Sequence, residues 1–201
     1  MKIMRSVFVL MILTVPGFAW AQATIGAPAP DFTLVDSNGM EQSLSDFQGQ
    51  RVVLEWTNHG CPYVGKHYDT GNMQSLQRDA TESGVIWLSI ISSAPGRQGY
   101  VSGDEANNLT ASRGAYPTAV LSDPEGTVGH AYDARTTPGM YVIDEEGVLR
   151  YQGAIDDRPT SRHASVEGAT NYVRLALADL DAGRDVEIAE TTQYGCSIKY
   201  R

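Results

Sequence analysis

Two apolar stretches, one on each side of a helical segment, constrain the fold of this chain most. Residues 51–57 contain the run Val52-Val53-Leu54, and residues 85–91 are again largely apolar. Continuous apolar runs of this length predict strands that are buried on both faces of a sheet. The segment from Cys61 to about Ala80 has helical character, with an interruption near Thr70. A strand, a helix and a strand in this order predict a parallel β-α-β unit.

The rest of the chain extends this unit into a larger α/β arrangement. Turn residues and short apolar runs predict strands at 32–35, 40–43 and 118–121, helices at 103–112 and 128–134, a hairpin of strands 140–144 and 148–152, and a closing amphipathic helix at 165–182. The hairpin adds antiparallel strands to a sheet that begins parallel. The predicted fold class is therefore α/β, a three-layer sandwich with a mixed central sheet and flanking helices.

The first 21 residues have the three-part pattern of a secretory signal peptide. Lys2 and Arg5 precede the apolar run 7–15, and Ala19-Trp20-Ala21 places small residues where a signal peptidase reads them. The run is shorter than the roughly 20 apolar residues that a membrane-spanning helix needs. We therefore predict a signal peptide at 1–21 and a mature domain at 22–201. The mature protein is expected to be secreted or periplasmic, with no membrane anchor after cleavage.

The mature chain is strongly acidic. Without Lys2 and Arg5, 13 basic residues stand against 24 acidic residues, which gives a net charge of −11. Such a chain, with no basic cluster, repels the phosphate backbone of nucleic acids, so nucleic-acid binding is not expected.

Only two cysteines are present, Cys61 and Cys196. In an exported protein, a pair of cysteines indicates a structural disulfide or a redox couple. Cys61 follows the buried strand 51–57 and begins a helix, where unpaired N–H groups and the helix dipole stabilise a thiolate. This position favours a reactive thiol with a lowered pKa over an inert, buried cysteine.

Several motifs carry a resemblance to a known family. They are Trp56 to Lys66 around the cysteine, Thr137-Pro138 before a strand, Gly26 to Leu34, Leu44 to Gly49, and Asp144 to Gly147. Together they resemble the redoxins of the thioredoxin superfamily, in the peroxiredoxin-like subgroup of the alkyl hydroperoxide reductase/thiol-specific antioxidant family. The resemblance implies a thioredoxin-like fold, a thiol oxidoreductase with no cofactor, and a partner that is a thiol/disulfide protein or a peroxide, with an external thiol as reductant.

The same resemblance implies roles for individual residues. Cys61 is the implied reactive cysteine, Thr137 and Pro138 form the implied cis-proline loop beside it, and Thr57, Asn58, Gly60, Pro62 and Lys66 support the site. Main-chain N–H groups around Gly60 to Tyr63 are expected to stabilise developing negative charge. Val64 stands where a C-x-x-C motif would have its second cysteine, and Asn58 stands in place of the usual peroxiredoxin threonine.

Three points stay open at the level of the sequence. Cys196 is either a resolving cysteine for Cys61, half of a static disulfide, or unbonded. Lys66 and His67 either favour the Cys61 thiolate through their positive charge or lie on a solvated helix face. A non-catalytic binding or metal-chaperone module is the alternative function; His59, Cys61 and His67 include soft ligands, but we predict no metal site.

Overall fold

The computed structural model describes residues 22–201, so the predicted signal peptide lies outside the described residues. Within these residues the nine strands are β1 (Thr33–Asp36), β2 (Glu41–Ser43), β3 (Val52–Trp56), β4 (Ile86–Ile91), β5 (Ala119–Ser122), β6 (Thr136–Thr137), β7 (Gly139–Ile143), β8 (Leu149–Gly153) and β9 (Cys196–Ser197). The five α-helices in this described part of the chain are α1 (Pro62–Asp69), α2 (Asn72–Glu82), α3 (Gly103–Arg113), α4 (Thr127–Ala131) and α5 (Tyr172–Asp181).

Seven strands form one mixed sheet in the order β2-β1-β5-β4-β3-β7-β8. The strands β3, β4 and β5 run parallel, whereas β1, β2, β7 and β8 pair antiparallel with their neighbours. The predicted β-α-β unit and the predicted hairpin are both confirmed. The strands β6 and β9 form a separate two-stranded sheet that the sequence did not predict.

Side chains alternate across the central sheet and build one core on each face. Val53 packs with α1, α2 and α5 on one face, while Val52 and Leu54 pack on the other face with Val128 of α4. Because both faces of the sheet are covered, the molecule has three layers, as the sequence predicts.

The interruption predicted near Thr70 is confirmed, and two other predicted helices differ in detail from those observed. The helical segment after Cys61 is divided into α1, which ends at Asp69, and α2, which begins at Asn72. Gly71 lies between them with a φ of +74°, a left-handed conformation that an α-helix cannot continue through. The last helix begins at Tyr172 rather than at residue 165, because Asn171 caps it by accepting a hydrogen bond of 3.0 Å from the Arg174 N–H. The helix predicted at 128–134 ends at Ala131, just before Asp133 takes a φ of +48°.

The pairing of strands in the sheet determines where the site lies. The strands β3 and β7 pair antiparallel, with Trp56 at the end of β3 opposite Gly139 at the start of β7. The loop that follows β3 leads to Cys61, and the loop that precedes β7 contains Thr137 and Pro138. These two loops therefore meet at the same edge of the sheet.

Candidate active site

Cys61 lies at the amino terminus of α1 and is joined to the carboxyl-terminal tail. It is the N-cap residue of the helix, is 1% exposed, and forms a disulfide with Cys196 across a Cα–Cα distance of 5.9 Å. The sequence left open whether this pair is bonded, and the structure contains the bond. Cys196 belongs to β9 and keeps part of its surface open to solvent.

The cis-proline loop lies directly against Cys61. The Thr137–Pro138 peptide bond is cis, and the Cys61 Sγ lies 3.3 Å from the Thr137 carbonyl oxygen. Thr137 is also the partner of Cys196 in the β6–β9 pair. The structure thus brings together four residues that the sequence named for the site: Cys61, Cys196, Thr137 and Pro138.

Asn58 holds the loop that leads into Cys61. Its buried side chain accepts the Gly60 N–H at 3.0 Å and exchanges two hydrogen bonds, of 2.8 and 3.2 Å, with the amide of Gln98. The Asn58 carbonyl oxygen accepts the Cys61 N–H at 3.1 Å. Two of the N–H groups expected to stabilise negative charge, those of Gly60 and Cys61, are therefore already bonded. Pro62 has none, so Tyr63 and Val64 offer the nearest first-turn N–H groups.

Thr57 faces a different part of the molecule. Its side chain lines a cavity between α3 and the sheet together with His59 and Arg113, and its Oγ1 is buried without a hydrogen-bond partner. The structure therefore does not place Thr57 against the sulfur of Cys61 in the way it places Thr137.

Lys66 is buried, which excludes the solvated helix face, one of the two alternatives that the sequence left open for it. Its side chain is 0% exposed, and its Nζ lies 3.3 Å from the Asp156 Oδ2, 2.9 Å from the Arg158 carbonyl oxygen and 3.3 Å from the Tyr194 hydroxyl. The Tyr194 hydroxyl in turn donates a short hydrogen bond to Asp156. This cluster, Lys66–Asp156–Tyr194, connects the helix of Cys61 with the residue two positions before Cys196.

His67 does not supply positive charge to the site. It is 0% exposed, and burial lowers its pKa from 6.5 to about 4, against the opposing attraction of Asp156. The Asn72 side-chain amide donates to the His67 Nδ1 at 2.7 Å, and the Nε2 lies 3.8 Å from Asp156. His67 therefore fits neither alternative that the sequence left open, a cationic ring or a solvated helix face, because the ring is buried and its protonation requires a charge in the core.

The buried imidazole predicts a specific pH dependence of stability. Because the pKa of His67 is lower in the folded state than its ordinary value of 6.5, protonation favours unfolding. We expect His67 to reduce the free energy of unfolding as the pH falls from about 6.5 to about 4, by up to about 3 kcal/mol. Urea unfolding of wild type and His67→Gln across this range measures the difference.

The matched control is His163→Gln, because His163 is exposed and its replacement leaves the core unchanged. This variant should keep the pH dependence of the wild type. Parallel stability curves for wild type and His67→Gln would contradict the assignment.

Comparisons with known proteins agree with this geometry. Residues 25–152 match the AhpC/TSA family. The chain belongs to the AhpC/TSA family. Thiol-disulfide oxidoreductase ResA of Geobacillus kaustophilus is 26% identical over 178 residues, covering 80% of this chain and 92% of ResA. A candidate peroxiredoxin of Mycobacterium tuberculosis is 28% identical, covering 67% of this chain and 79% of that protein.

A solved structure also resembles this chain over most of its length. The crystal structure of a hypothetical protein from Sinorhizobium meliloti 1021 has a TM-score of 0.77 and 25% identity, covering 90% of this chain and 96% of that one. The fold is the thioredoxin fold, as the sequence predicts. Membership in the AhpC/TSA family and the general activity of a thiol oxidoreductase are likewise confirmed.

Sequence reasoning missed the side chains that hold the AhpC/TSA site together. The loop before α1 and the helix itself form hydrogen bonds with side chains from distant parts of the chain. Asn58 bonds to Gln98, and Lys66 bonds to Asp156 and Tyr194. The alternation of Cys196, Ile198 and Tyr200 in the tail was the one available signal, since a period of two is typical of a strand. Within residues 22–201, no group of three or more His, Cys, Asp or Glu side chains is arranged to hold a metal, and no helix is long and apolar enough to cross a membrane.

Proposed function

We propose that this AhpC/TSA protein is an exported thiol oxidoreductase in which Cys61 reacts with the substrate and Cys196 resolves the product. The observation that carries the proposal is the Cys61–Cys196 disulfide at the first turn of α1, beside the cis Thr137–Pro138 bond. A thiolate at this position gains stability from the helix dipole and the first-turn N–H groups. The predicted lowering of the Cys61 pKa applies to the reduced protein, because a cysteine in a disulfide does not titrate.

The reaction begins from the reduced protein. The Cys61 thiolate attacks one sulfur of a substrate disulfide, so that a Cys61–substrate disulfide forms and the other substrate sulfur leaves as a thiolate. The Cys196 thiolate then attacks the Cys61 sulfur, which forms the observed bond and releases the second substrate thiolate. Two electrons pass from the protein to the substrate. An external thiol reduces the Cys61–Cys196 bond and restores the starting state.

A peroxide is the second substrate class that the same site accommodates, in line with the AhpC/TSA family match. The Cys61 thiolate would take one oxygen and become a sulfenic acid, while the alcohol or water leaves. Condensation with the Cys196 thiol would then release water and form the same disulfide. The two substrates differ in the species that accumulates when Cys196 is absent.

Sulfur states after a single turnover test the proposal. Reduced wild type, Cys196→Ala and Cys61→Ala are each mixed with one equivalent of glutathione disulfide or hydrogen peroxide, and intact masses are measured. Wild type should return to the internal disulfide. Cys196→Ala should accumulate a glutathione adduct or an over-oxidised Cys61, and Cys61→Ala should consume neither oxidant above the rate of a free surface thiol.

Oxidant consumption, measured together with the melting temperatures of the same three proteins, identifies the alternative, a static bridge in a non-catalytic binding module. In that case both variants lose stability equally and the reduced wild type consumes no oxidant.

The same intact masses, taken on exported protein, report the amino terminus. A protein that begins at Gln22 agrees with the proposed export, and a retained Met1 contradicts it.

A further inference from the structure

The tail that carries Cys196 is bound to the protein as an extended strand. Cys196 and Ser197 pair antiparallel with Thr137 and Thr136. Beyond this pair, the Ile198 N–H donates to the Arg135 carbonyl oxygen at 3.0 Å, and the Lys199 carbonyl oxygen accepts the Ala94 N–H at 2.9 Å. Main-chain hydrogen bonds of this kind can form with any extended segment, whatever its side chains.

The side chains of the tail alternate between the protein and solvent. Cys196 is bonded to Cys61, Ile198 is 8% exposed in the core on the α4 face, and Tyr200 packs against that core. Ser197 and Arg201 are exposed. The period of two is that of a strand laid in a groove. The groove thus has three subsites, which we name for their occupants: the cysteine, Ile198 and Tyr200 subsites.

The Tyr200 subsite is built for an aromatic ring. His130 stacks on the ring at 4.1 Å between centroids, and the Tyr200 hydroxyl donates to the Ala134 carbonyl oxygen at 2.6 Å. A Cβ atom on either Gly126 or Gly129 would overlap the ring. Gly126 needs its positive φ of +73° in any case. Gly129 lies within α4, where glycine is unfavourable, so the space for Tyr200 explains its presence.

We propose that this groove docks an extended segment of the partner protein, with an aliphatic residue two positions after the reacting cysteine and an aromatic residue four positions after it. The proposal rests on the function proposed above. A disulfide between Cys61 and a partner places the partner's cysteine where Cys196 lies, and β6 fixes the direction of the strand. The next inward-facing positions of the partner then meet the Ile198 and Tyr200 subsites.

The tail and the partner segment would exchange in one groove during each turnover. In the reduced protein only non-covalent contacts hold the tail, so a partner strand can replace it. Cys61 attacks the partner's disulfide, and the partner's second cysteine leaves as a thiolate. When the Cys196 thiolate attacks Cys61, the partner's first cysteine leaves as a thiolate and the tail returns to the groove. Release of the partner is thereby coupled to docking of the tail.

Peptides with the tail's own sequence provide the probe. The nine-residue peptide Gln-Tyr-Gly-Cys-Ser-Ile-Lys-Tyr-Arg, with its cysteine activated as a mixed disulfide with thionitrobenzoate, is reacted with the Cys196→Ser protein. Release of thionitrobenzoate reports attack by Cys61. We expect this peptide to react at least tenfold faster than the peptide with alanine in place of its second tyrosine, the order of effect of burying an aromatic side chain.

Two further substitutions in the Cys196→Ser background test the subsite itself. Gly129→Ala should reduce the preference for the tyrosine peptide to within about twofold. Its matched control is Gly65→Ala, another helical position, where the added Cβ meets only the Asp69 carboxylate at an ordinary 3.5 Å; the preference should persist there. Tyr200→Ala should speed the reaction of the tyrosine peptide, since it weakens the competing tail.

Glutathionyl thionitrobenzoate separates this proposal from the proposed function. If Cys61 fails to react with this small disulfide in every variant, the proposed function is wrong. If Cys61 reacts with it but treats the two peptides alike, or if Tyr200→Ala leaves the peptide rate unchanged, the docking groove is overturned and the oxidoreductase remains.

Discussion

Reduction of the Cys61–Cys196 disulfide should lower the free energy of unfolding by about 5 kcal/mol and leave the fold in place. The bond joins residues 135 positions apart, and the loss of entropy on closing a loop of this length in the unfolded chain gives a stabilisation of about 5 kcal/mol. The folded state itself depends little on the bond, because the two cores are built from the sheet and its helices. A redox enzyme needs this property, since both of its oxidation states must remain folded.

Urea unfolding with and without a reductant measures the change, and near-ultraviolet circular dichroism reports whether aromatic packing persists. Trp56, Trp87, Tyr132 and Tyr141 are fully buried in the two cores and should keep their signals. The double variant Cys61→Ala/Cys196→Ala is the control, because a reductant should not alter its stability. Reduced protein that unfolds outright, or that is as stable as the oxidised form, would contradict the expectation.

The corner around Cys61 could be predicted from the sequence because its signals are local. The apolar run Val52-Val53-Leu54, the loop and Pro62 at the first helical position all lie within a few residues of the cysteine. The hairpin of β7 and β8 was predicted for the same reason, since its turn at residues 145–147 separates two short apolar strands. The cis-proline loop was predicted from the family resemblance of Thr137-Pro138 rather than from any local pattern.

The tail and the buried Lys66 could not be predicted, because long-range contacts determine both. The strand β9 has two residues, and its partner β6 lies about 60 positions earlier in the chain. Lys66 meets Asp156 across 90 residues, and an isolated lysine on a helix ordinarily faces solvent. Only the tertiary fold reveals that Asp156 and the Arg158 carbonyl oxygen are available to receive the ammonium group.

The cluster Lys66–Asp156–Tyr194 predicts the second large effect. Asp156→Asn should lower the free energy of unfolding by about 3–5 kcal/mol, because it leaves the buried Lys66 ammonium without its counter-charge. Asp156 is 2% exposed and Lys66 is 0% exposed, so water can replace the lost partner only if the structure opens. Urea unfolding at pH 7 measures the loss.

The neighbouring Asp157→Asn is the matched control. Asp157 is 30% exposed and pairs with the half-exposed Arg158, and an ion pair of this kind contributes less than about 1 kcal/mol. The double variant Lys66→Met/Asp156→Asn removes both charges and should be more stable than Asp156→Asn alone, because the destabilisation comes from the unpaired charge. If the single and double variants lose equal stability, Lys66 is not held by Asp156.

Since Tyr194 also donates a hydrogen bond to Asp156, loss of this carboxylate should in addition loosen the tail. The Cys61–Cys196 bond should therefore become easier to reduce in Asp156→Asn than in Asp157→Asn.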